Sequence, residues 1–359
     1  MKKFLSLLTS SVLLCLISGC GSTEALNGPI PIKVVVVNMF ELGDDAGDMP
    51  GEFQYWNERI PYDESFPFPQ GVHDLGYNRQ KGMLGLLTGI GTAKAAASVM
   101  ALGMDPRFDL SNAYWIISGI AGVDPEDASI GSAAWATYLV DGDLGHEIDA
   151  REIPESWETG FIPLRLSKPY EKPIPENSEG AVYELNAGLV DWAYGLTKDM
   201  ELKDNDRIAR FRAKYEGFEA AQKPPFVLKG DHLSASTFWH GKLLNQWANE
   251  WTAYWSHGKG NFVMSGMEDT GTLQALEQLD KADKVDVERV LVLRTGSNYT
   301  MQFPGITAAQ SLSGEKLIGK GYSGYLASLE AAYNVANVVV DSLITNWDAY
   351  SVTLPGIGK

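Results

Sequence analysis

The sequence predicts an α/β fold in which a central sheet is covered by helices on both faces. Strand-like and helix-like segments alternate from residue 32 onward, which is the pattern of this class. Ile32–Met39 contains four consecutive valines, typical of a strand buried on both faces. Two glycine-rich segments, Thr88–Thr92 and Ile116–Gly122, each end an apolar run. We interpret both as turns after buried strands, where ligands of α/β sheets bind.

The remaining elements follow from local patterns. Runs of apolar and β-branched residues predict strands, and apolar residues at helical spacing predict helices. The expected strands are Met83–Leu87, Ala113–Ile117, Ile130–Leu139, Val227–Leu228, Gly260–Met264 and Arg289–Arg294. The expected helices are Ala93–Leu102, Ala181–Thr197, Asp204–Glu219, Leu243–Tyr254, Thr272–Ala282 and Tyr325–Ile344. Residues 41–80 and 151–180 contain many turn-forming residues and are expected to be irregular.

The first 19 residues are expected to be an export signal. Lys2 and Lys3 precede an apolar stretch, Phe4–Ile17, that is too short to span a membrane as a mature helix. The small residues before Cys20 resemble a bacterial lipobox, in which the cysteine is lipidated. Cys15 lies in the discarded segment, so Cys20 would have no disulfide partner. The predicted organisation is a lipoprotein signal peptide at 1–19, a tether at 20–31 and a single domain at 32–359.

This signal predicts an extracytoplasmic lipoprotein in the periplasm. Gly21 rather than aspartate follows the cysteine, and by the usual enterobacterial sorting rule this favours anchoring in the outer membrane. The alternative is a plain signal peptide with an incidental cysteine.

Charge excludes several classes of partner. The formal net charge is −17 and becomes −19 when Lys2 and Lys3 leave with the signal. An acidic surface disfavours nucleic acid, anionic lipid and phosphate-rich substrates, whereas a neutral small molecule does not feel this field. Tyr325–Ile344 carries Glu330 and Asp341, so it predicts a packed helix with one apolar face rather than a membrane span. Membrane contact is therefore expected only through the anchor.

Four motifs in chain order resemble the nucleoside phosphorylase and nucleosidase fold. Thr88–Ala97 is similar to the Gly-Ile-Gly turn and helix of bacterial adenosylhomocysteine nucleosidases, and Ser118–Gly122 resembles their second glycine turn. Ser265–Asp269 resembles their Met-Glu signature, and Val292–Asn298 resembles the strand whose last side chain faces the purine. The resemblance implies a three-layer α/β/α fold with a mixed central sheet.

A second resemblance, to the purine nucleoside permease family, covers most of the chain after the signal. It is carried by Ala95–Leu102, Phe108–Leu110, His146–Glu152 and Ser236–Gly241. The family name comes from fungal proteins implicated in nucleoside uptake. The resemblance implies a purine nucleoside as ligand.

The nucleosidase resemblance assigns the ribose hydroxyls to Glu268, beside Met267. A carboxylate can accept both hydroxyls and hold the sugar while charge develops at its anomeric carbon. The alternative is an acidic residue that stabilises a helix N-terminus. Asp269 is expected to cap that helix.

By the same resemblance, Asn298 and Ser297 face the purine. An asparagine amide can bond N7 and O6 of a 6-oxopurine but cannot deliver a full proton, so inosine or guanosine is favoured. The alternative is an ordinary turn asparagine.

Further contacts are expected around these residues. The nucleosidase resemblance makes Glu41, just past the first strand, the candidate base that activates water, because a glutamate in a similar position of those enzymes is assigned this role. Phe238, Trp239 and His240 are candidates for stacking on the purine and bonding the sugar, although many of the ten tryptophans in the chain must serve packing. The two glycine segments are expected to contact the nucleoside through Thr88, Gly91, Ser118 and Gly119.

The reaction type depends on phosphate. Related phosphorylases usually carry an arginine two residues before the glycine of the second segment, where this chain has Ile117. A phosphate without arginine would be poorly compensated, so hydrolysis or binding without chemistry is favoured over phosphorolysis. Five scattered histidines, His146 among them, offer no metal-ligand cluster, and we expect no metal or other cofactor.

The sequence therefore predicts purine nucleoside binding in uptake or salvage, with hydrolytic cleavage of the N-glycosidic bond. The main alternative is a non-catalytic component that captures nucleosides for a separate inner-membrane transporter. Phosphorolysis and a scaffold that has lost its site are lesser alternatives. A homo-oligomer is compatible with all of these.

Overall fold

The computed structural model describes residues 28–174, 180–315 and 324–356. The expected signal peptide, Cys20 and most of the expected tether lie outside these residues. Within the described ranges, no helix combines the length and the apolar character needed to cross a membrane.

The strands and helices are named in chain order. The strands are β1 Ile30–Pro31, β2 Val34–Asn38, β3 Glu64–Phe66, β4 Leu75–Asn78, β5 Met83–Leu87, β6 Phe108–Asp109, β7 Tyr114–Val123, β8 Ala133–Trp135, β9 Tyr138–Asp141, β10 Gly145–Glu147, β11 Phe161–Pro163, β12 Val182–Glu184, β13 Val227–Lys229, β14 Asp231–Ser234, β15 Phe262–Gly266 and β16 Val290–Tyr299. The helices are α1 Gln54–Arg59, α2 Thr92–Gly103, α3 Ala187–Thr197, α4 Asp206–Arg212, α5 Glu219–Gln222, α6 Lys242–Trp255, α7 Asp269–Asp280, α8 Ala308–Glu315, α9 Tyr325–Thr345 and α10 Trp347–Tyr350, with a 3₁₀ turn at Val287–Arg289.

One mixed sheet organises the described residues. It is 12-stranded, with the order β12-β9-β14-β15-β7-β2-β5-β4-β3, and β16 and β8 continue from β7 to β13. The inner pairs β2–β5, β2–β7 and β7–β16 are parallel, whereas β15–β7 is antiparallel. α9 packs on β7 and β16, and α2 packs on α7. The predicted α/β class with a mixed central sheet is confirmed.

The central strand β7 changes partners along its length. It pairs with β16 from Trp115 to Val123. On its other side it pairs with β2 only as far as Ile117, and with β15 only from Gly122. The residues between, 118–121, therefore pair with neither β2 nor β15. Because ligands of α/β sheets bind where neighbouring strands diverge, this gap is the natural place for a site.

The prediction of a turn at Ile116–Gly122 is wrong. These residues lie inside β7, because β16 extends the pairing past the glycines. The glycines serve close approach instead, since a Cβ atom on Gly119 would lie 2.5 Å from Oε1 of Glu52. The first glycine segment is a turn as expected, with Gly89 and Gly91 at positive φ before α2.

Several boundaries differ from the sequence prediction. The expected strand Ile130–Leu139 is divided into β8 and β9, and the expected helix Asp204–Glu219 is helical only over α4 and at its last residue, where α5 begins. Residues 41–80 contain α1, β3 and β4 rather than irregular chain alone. The sequence did not predict β14, because two of its four residues, Asp231 and His232, carry ionisable side chains. Both are buried, so tertiary contacts rather than an apolar pattern place this strand in the sheet.

Candidate functional site

A cavity of about 140 Å³ lies beside the gap in the pairing of β7. Its walls come from the ends of β2 and β15, the middle of β7, the second half of β16 and the loop before α1. Four of the predicted site residues line it, together with Phe238 at its mouth: Met267, Glu268, Ser297 and Asn298. The change of pairing partners along β7 thus brings segments that are far apart in the sequence into one pocket.

Arg294 brings a positive charge to the wall of this cavity. Its side chain is 1% exposed and its Nη1 donates to the carbonyl oxygen of Ile120 at 3.1 Å. A Cβ atom on Gly119 would lie 2.9 Å from this Nη1, and one on Gly266 would lie 3.0 Å from Nε. The two glycines therefore make room for a guanidinium that occupies the open edge of β7.

Two carboxylates hold the guanidinium of Arg294. Its Nη2 donates to Oε2 of Glu268 at 2.9 Å and to Oδ1 of Asp269 at 2.6 Å, and its Nε donates to Oδ1 of Asp269 at 3.0 Å. Burial is the largest single influence and raises the pKa of Asp269, but the charges and donors of Arg294 and His232 together outweigh it and lower this pKa to about 2. Asp269 is thus ionised, and the pair is satisfied as a buried ion pair must be.

Glu52 supplies a third carboxyl group. It is 5% exposed, and its oxygens accept backbone N–H bonds from Met39 at 2.7 Å and Ile120 at 2.8 Å. Burial raises the pKa of Glu52 to about 8, against the charge of Arg294, which lowers it; Glu268 raises it further. The group can therefore exchange a proton near neutral pH.

Glu268 lies at the start of α7, between the first glycine turn and Arg294. Its Oε1 accepts the N–H of Gly91 at 3.1 Å, and its Oε2 accepts the N–H of Met267 at 3.2 Å. The expectation that Asp269 caps α7 is wrong, because its carboxylate is turned to Arg294 and the cap position is Glu268, whose side chain makes no capping bond. The ion pair is the stronger interaction in a buried site.

Asn298 presents its amide to the cavity in a defined orientation. Ser297 Oγ donates to its Oδ1 at 2.8 Å, and its Nδ2 donates to the carbonyl oxygen of Tyr299 at 3.3 Å. An amide nitrogen carries two hydrogens, so one remains for a ligand. This orientation places a donor, not an acid, toward the cavity.

The structure does not bring Glu41 to the cavity. Its carboxylate accepts backbone N–H bonds from Leu42 at 2.9 Å, from Gln54 at 2.7 Å and from Gly51. Gly51 and Gln54 flank Glu52, so Glu41 secures the loop that places Glu52. Glu52 lines the cavity and Glu41 does not.

Two of the three expected aromatic contacts lie elsewhere. Phe238 is at the mouth and is 52% exposed. Trp239 packs in a satellite core against Trp247, with ring centroids 5.9 Å apart. His240 does not line the cavity; burial lowers its pKa to about 4, partly offset by a bond with the backbone of Tyr299.

Thr88 and Ser118 hold the surrounding framework together. Thr88 Oγ1 donates to the carbonyl oxygen of Gly89 at 3.1 Å, and Ser118 Oγ donates to that of Ala332 at 3.1 Å. Neither lines the cavity. Gly91 acts through its backbone N–H, which donates to Glu268. Gly119 has no side chain and so leaves room for Arg294.

Two site residues were missed by sequence reasoning. Arg294 had a usable signal, because it is a charged residue inside an apolar strand. The premise that no arginine reaches the site, drawn from Ile117, is wrong because Arg294 arrives from the adjacent strand. Glu52 had no such signal, since it lies in a loop without regular pattern. In the described ranges, no group of three His, Cys, Asp or Glu side chains is arranged to hold a metal ion.

Solved structures with a similar fold are described as a hydrolase and as nucleosidases. Futalosine hydrolase of Helicobacter pylori superposes with a TM-score of 0.51 at 18% identity, over 87% of this chain and 98% of that one. A mutant nucleosidase from the same organism, with 5′-methylthioadenosine in its active site, gives a TM-score of 0.51 at 17% identity, over 86% and 99%. At these identities the similarity establishes the fold.

Curated relatives are more similar in sequence. A probable purine nucleoside permease of Schizosaccharomyces pombe is 30% identical over 89% of this chain and 91% of its own length. A purine nucleoside permease of Candida albicans is 30% identical over 88% of this chain and 76% of its own length.

These relatives overturn the expected localisation. They are proteins of fungi, whose cells have no bacterial outer membrane in which a periplasmic lipoprotein could be anchored. The placement in a bacterial periplasm, drawn from residues before the domain, is therefore wrong.

The matching family model is described as purine nucleoside permease and covers residues 31–355, nearly the whole described chain. The two relatives agree with it over most of their length. The chain belongs to the purine nucleoside permease family.

Proposed function

We propose that this protein binds a purine nucleoside in the cavity at the β7 gap and hydrolyses its N-glycosidic bond. The observation that carries the proposal is the set of groups in one cavity: the Glu268 carboxylate, the Asn298 amide and the Glu52 carboxyl. Each matches one need of the reaction: binding of sugar hydroxyls, recognition of a base and proton transfer. The family and the fold support the same ligand class.

Two side chains of the cavity, Glu268 and Asn298, orient the nucleoside. The ribose hydroxyls donate to the carboxylate of Glu268. In the structure, the oxygens of this carboxylate accept N–H bonds from Gly91, Met267 and Arg294. The base accepts the remaining N–H of Asn298 at N7 or at a 6-oxo group. At about 140 Å³ the cavity is smaller than the ~300–1,000 Å³ of most ligand pockets, so part of the nucleoside extends past Phe238.

Glu52 acts as the base that activates water. In its ionised form it takes a proton from a water molecule, whose oxygen bonds to the anomeric carbon. The C–N bond breaks, its electron pair leaves with the purine, and the purine nitrogen takes a proton from solvent. A pKa near the working pH suits a group that must accept a proton and release it again.

The surroundings of Arg294 disfavour phosphorolysis. Its Nε, Nη1 and Nη2 already donate to Asp269, Ile120 and Glu268. A phosphate dianion placed here would meet the carboxyl groups of Glu268 and Asp269, and repulsion between like charges is strong in a buried site. The arginine is therefore a partner of the carboxylates rather than a phosphate receptor.

Phosphate should accordingly have no effect on base release. We expect the same rate with and without phosphate, and free ribose as the sugar product. The measurement is incubation of purified protein with inosine, guanosine and adenosine, followed by assay of free base and of sugar. Ribose 1-phosphate formed at a rate that saturates in phosphate would establish phosphorolysis instead.

One observation favours a second candidate, capture of nucleosides for a separate transporter without cleavage. Asn298 stands where acid catalysis would need a proton donor, and an amide cannot provide one. The relatives are also described as permeases. Measurable binding of a purine nucleoside with no release of base in the assay above would decide for this candidate.

Glu268→Ala should weaken ribonucleoside binding by at least about tenfold. A hydrogen bond to a charged group contributes about 1.5–3 kcal/mol, and the variant loses the acceptor of the ribose hydroxyls. Folding should be retained, because Asp269 still pairs with Arg294. The measurement is calorimetric titration with inosine and with 2′-deoxyinosine. Equal affinity of the wild-type protein for both nucleosides would contradict the role of Glu268.

A further inference from the structure

A buried histidine lies behind the carboxylates of the cavity. His232, on β14, is 0% exposed, and its Nδ1 lies 3.4 Å from Oδ2 of Asp269. Neither ring nitrogen makes a regular hydrogen bond to any of the residues that the structure describes. Buried polar groups are normally paired, so this imidazole has one evident partner, the carboxylate of Asp269.

We propose that His232 is a positioning residue for the ribose site, acting through Asp269 and Arg294 on Glu268. The proposal rests on the proposed function, since it concerns the same site. His232 does not line the cavity and touches no ligand. It contributes by orienting Glu268, which lines the cavity.

The contacts form a continuous chain. Asp269 Oδ2 faces His232 at 3.4 Å, while its Oδ1 accepts Nη2 of Arg294 at 2.6 Å. The same Nη2 donates to Oε2 of Glu268 at 2.9 Å. One terminal nitrogen of Arg294 is thus shared between the two carboxylates, so a rotation of one carboxylate moves the other.

Asp269 needs a second donor to hold its orientation. Arg294 reaches Oδ2 only through Nε, at 3.3 Å, a long contact. An imidazole with its proton on Nδ1 presents an N–H to Oδ2 across this 3.4 Å contact and so resists rotation of the carboxylate. Glu268, which shares Nη2 of Arg294 with Asp269, then keeps the orientation in which it can accept a ribose hydroxyl.

His232→Leu and His232→Asn test this positioning. Leucine has a similar volume but no donor, whereas an asparagine amide carries an N–H near the place of Nδ1. We expect His232→Leu to weaken inosine binding at least about fivefold, because it removes the polar group that faces the Asp269 carboxylate at 3.4 Å, and His232→Asn to recover most of the loss. Thr197→Val is the matched control: it removes an equally buried bond, from Trp135 Nε1 at 3.0 Å, and should leave binding unchanged.

A double-mutant cycle separates positioning from a general effect on folding. In the Glu268→Ala background, His232→Leu should have almost no further effect on inosine affinity, because the last member of the chain is gone. Additive losses in the cycle, or a loss equal to that of Thr197→Val, would overturn the proposal.

A second measurement does not depend on nucleoside binding. In ¹⁵N spectra of the ligand-free protein, the His232 imidazole should carry its proton on Nδ1, and a proton on Nε2 would overturn the inference even if His232→Leu fails to fold. If wild-type protein binds no nucleoside, the proposed function fails while this test still stands. If the wild type binds and His232→Leu binds equally well, only the positioning role fails.

Discussion

Replacing Glu52 by glutamine should lower the rate of base release by about 10²- to 10⁴-fold, the usual contribution of a general base. Binding should change little, because glutamine keeps the size of the side chain and one oxygen acceptor for the backbone. A fall in kcat with nearly constant KM is the expected result in steady-state kinetics with inosine. Glu41→Gln is the matched control. It alters a carboxylate outside the cavity and keeps the amide oxygen that can accept the N–H bonds of Leu42 and Gly51, so we expect it to lose far less activity than Glu52→Gln.

Through Glu52, a rise in pH should have opposite effects on kcat and on the free energy of unfolding. Activity needs the ionised form, so kcat should rise with pH through about 8, the raised pKa of this group. Stability runs the other way: the folded protein holds this proton more tightly than the unfolded chain, whose glutamates titrate near 4.5. The contribution to the free energy of unfolding is thus complete below about 4.5 and falls as pH rises to about 8.

Glu52→Gln should remove both pH effects. A wild-type profile that is flat between pH 6 and about 9, or full activity of this variant, would rule out Glu52 as the base. Full activity together with an inactive Glu41→Gln would return the role to Glu41.

Replacing Arg294 by methionine should lower the free energy of unfolding by about 3–5 kcal/mol, the usual result of breaking a buried ion pair. The reason is that Glu268 and Asp269 would remain buried without their counter-charge. Nucleoside binding should be lost as well, since Glu268 would no longer be oriented. Urea denaturation followed by tryptophan fluorescence measures the stability.

An exposed arginine provides the comparison. Arg151 pairs with Asp149 at 2.7 Å, but its side chain is 88% exposed, and surface pairs contribute about 0–1 kcal/mol. Arg151→Met should therefore change stability little. If Arg294→Met does not fold, Arg294→Lys keeps the charge but loses the forked geometry; it should fold and bind inosine weakly. Equal stability losses at the two sites would show that Arg294 does not hold the carboxylates together.

The sequence predicted the framework because its signals are local. The valines of β2 are buried on both faces as their apolar run indicates, and α9 follows its helical periodicity from Tyr325 to one residue past the predicted end. The glycine turn before α2 was also predictable, since positive φ at Gly91 is a property of one residue. The motifs containing Glu268 and Asn298 led to the cavity because each lies at the end of its own strand.

Other features had no local signal. Ser118–Gly122 resembles a turn because glycines commonly end strands. Here the glycines instead allow side chains from distant segments to lie close against β7. Glu52 lies in a loop whose composition suggests irregular chain, and only the bonds to Met39 and Ile120 bring it into the cavity. Glu41, just past the first strand, was the more obvious candidate in sequence.

What the sequence by itself determined is the α/β class, most strands and helices, the family resemblance and five residues of the cavity, Glu268 and Asn298 among them. What only the tertiary structure decided is the charge arrangement: Arg294 between Glu268 and Asp269, with Glu52 opposite. The physical reason is that periodicity records the neighbours of a residue along the chain. The electrostatics of a buried site depends on partners brought together by the exchange of strands beside β7, and on burial that no local pattern specifies.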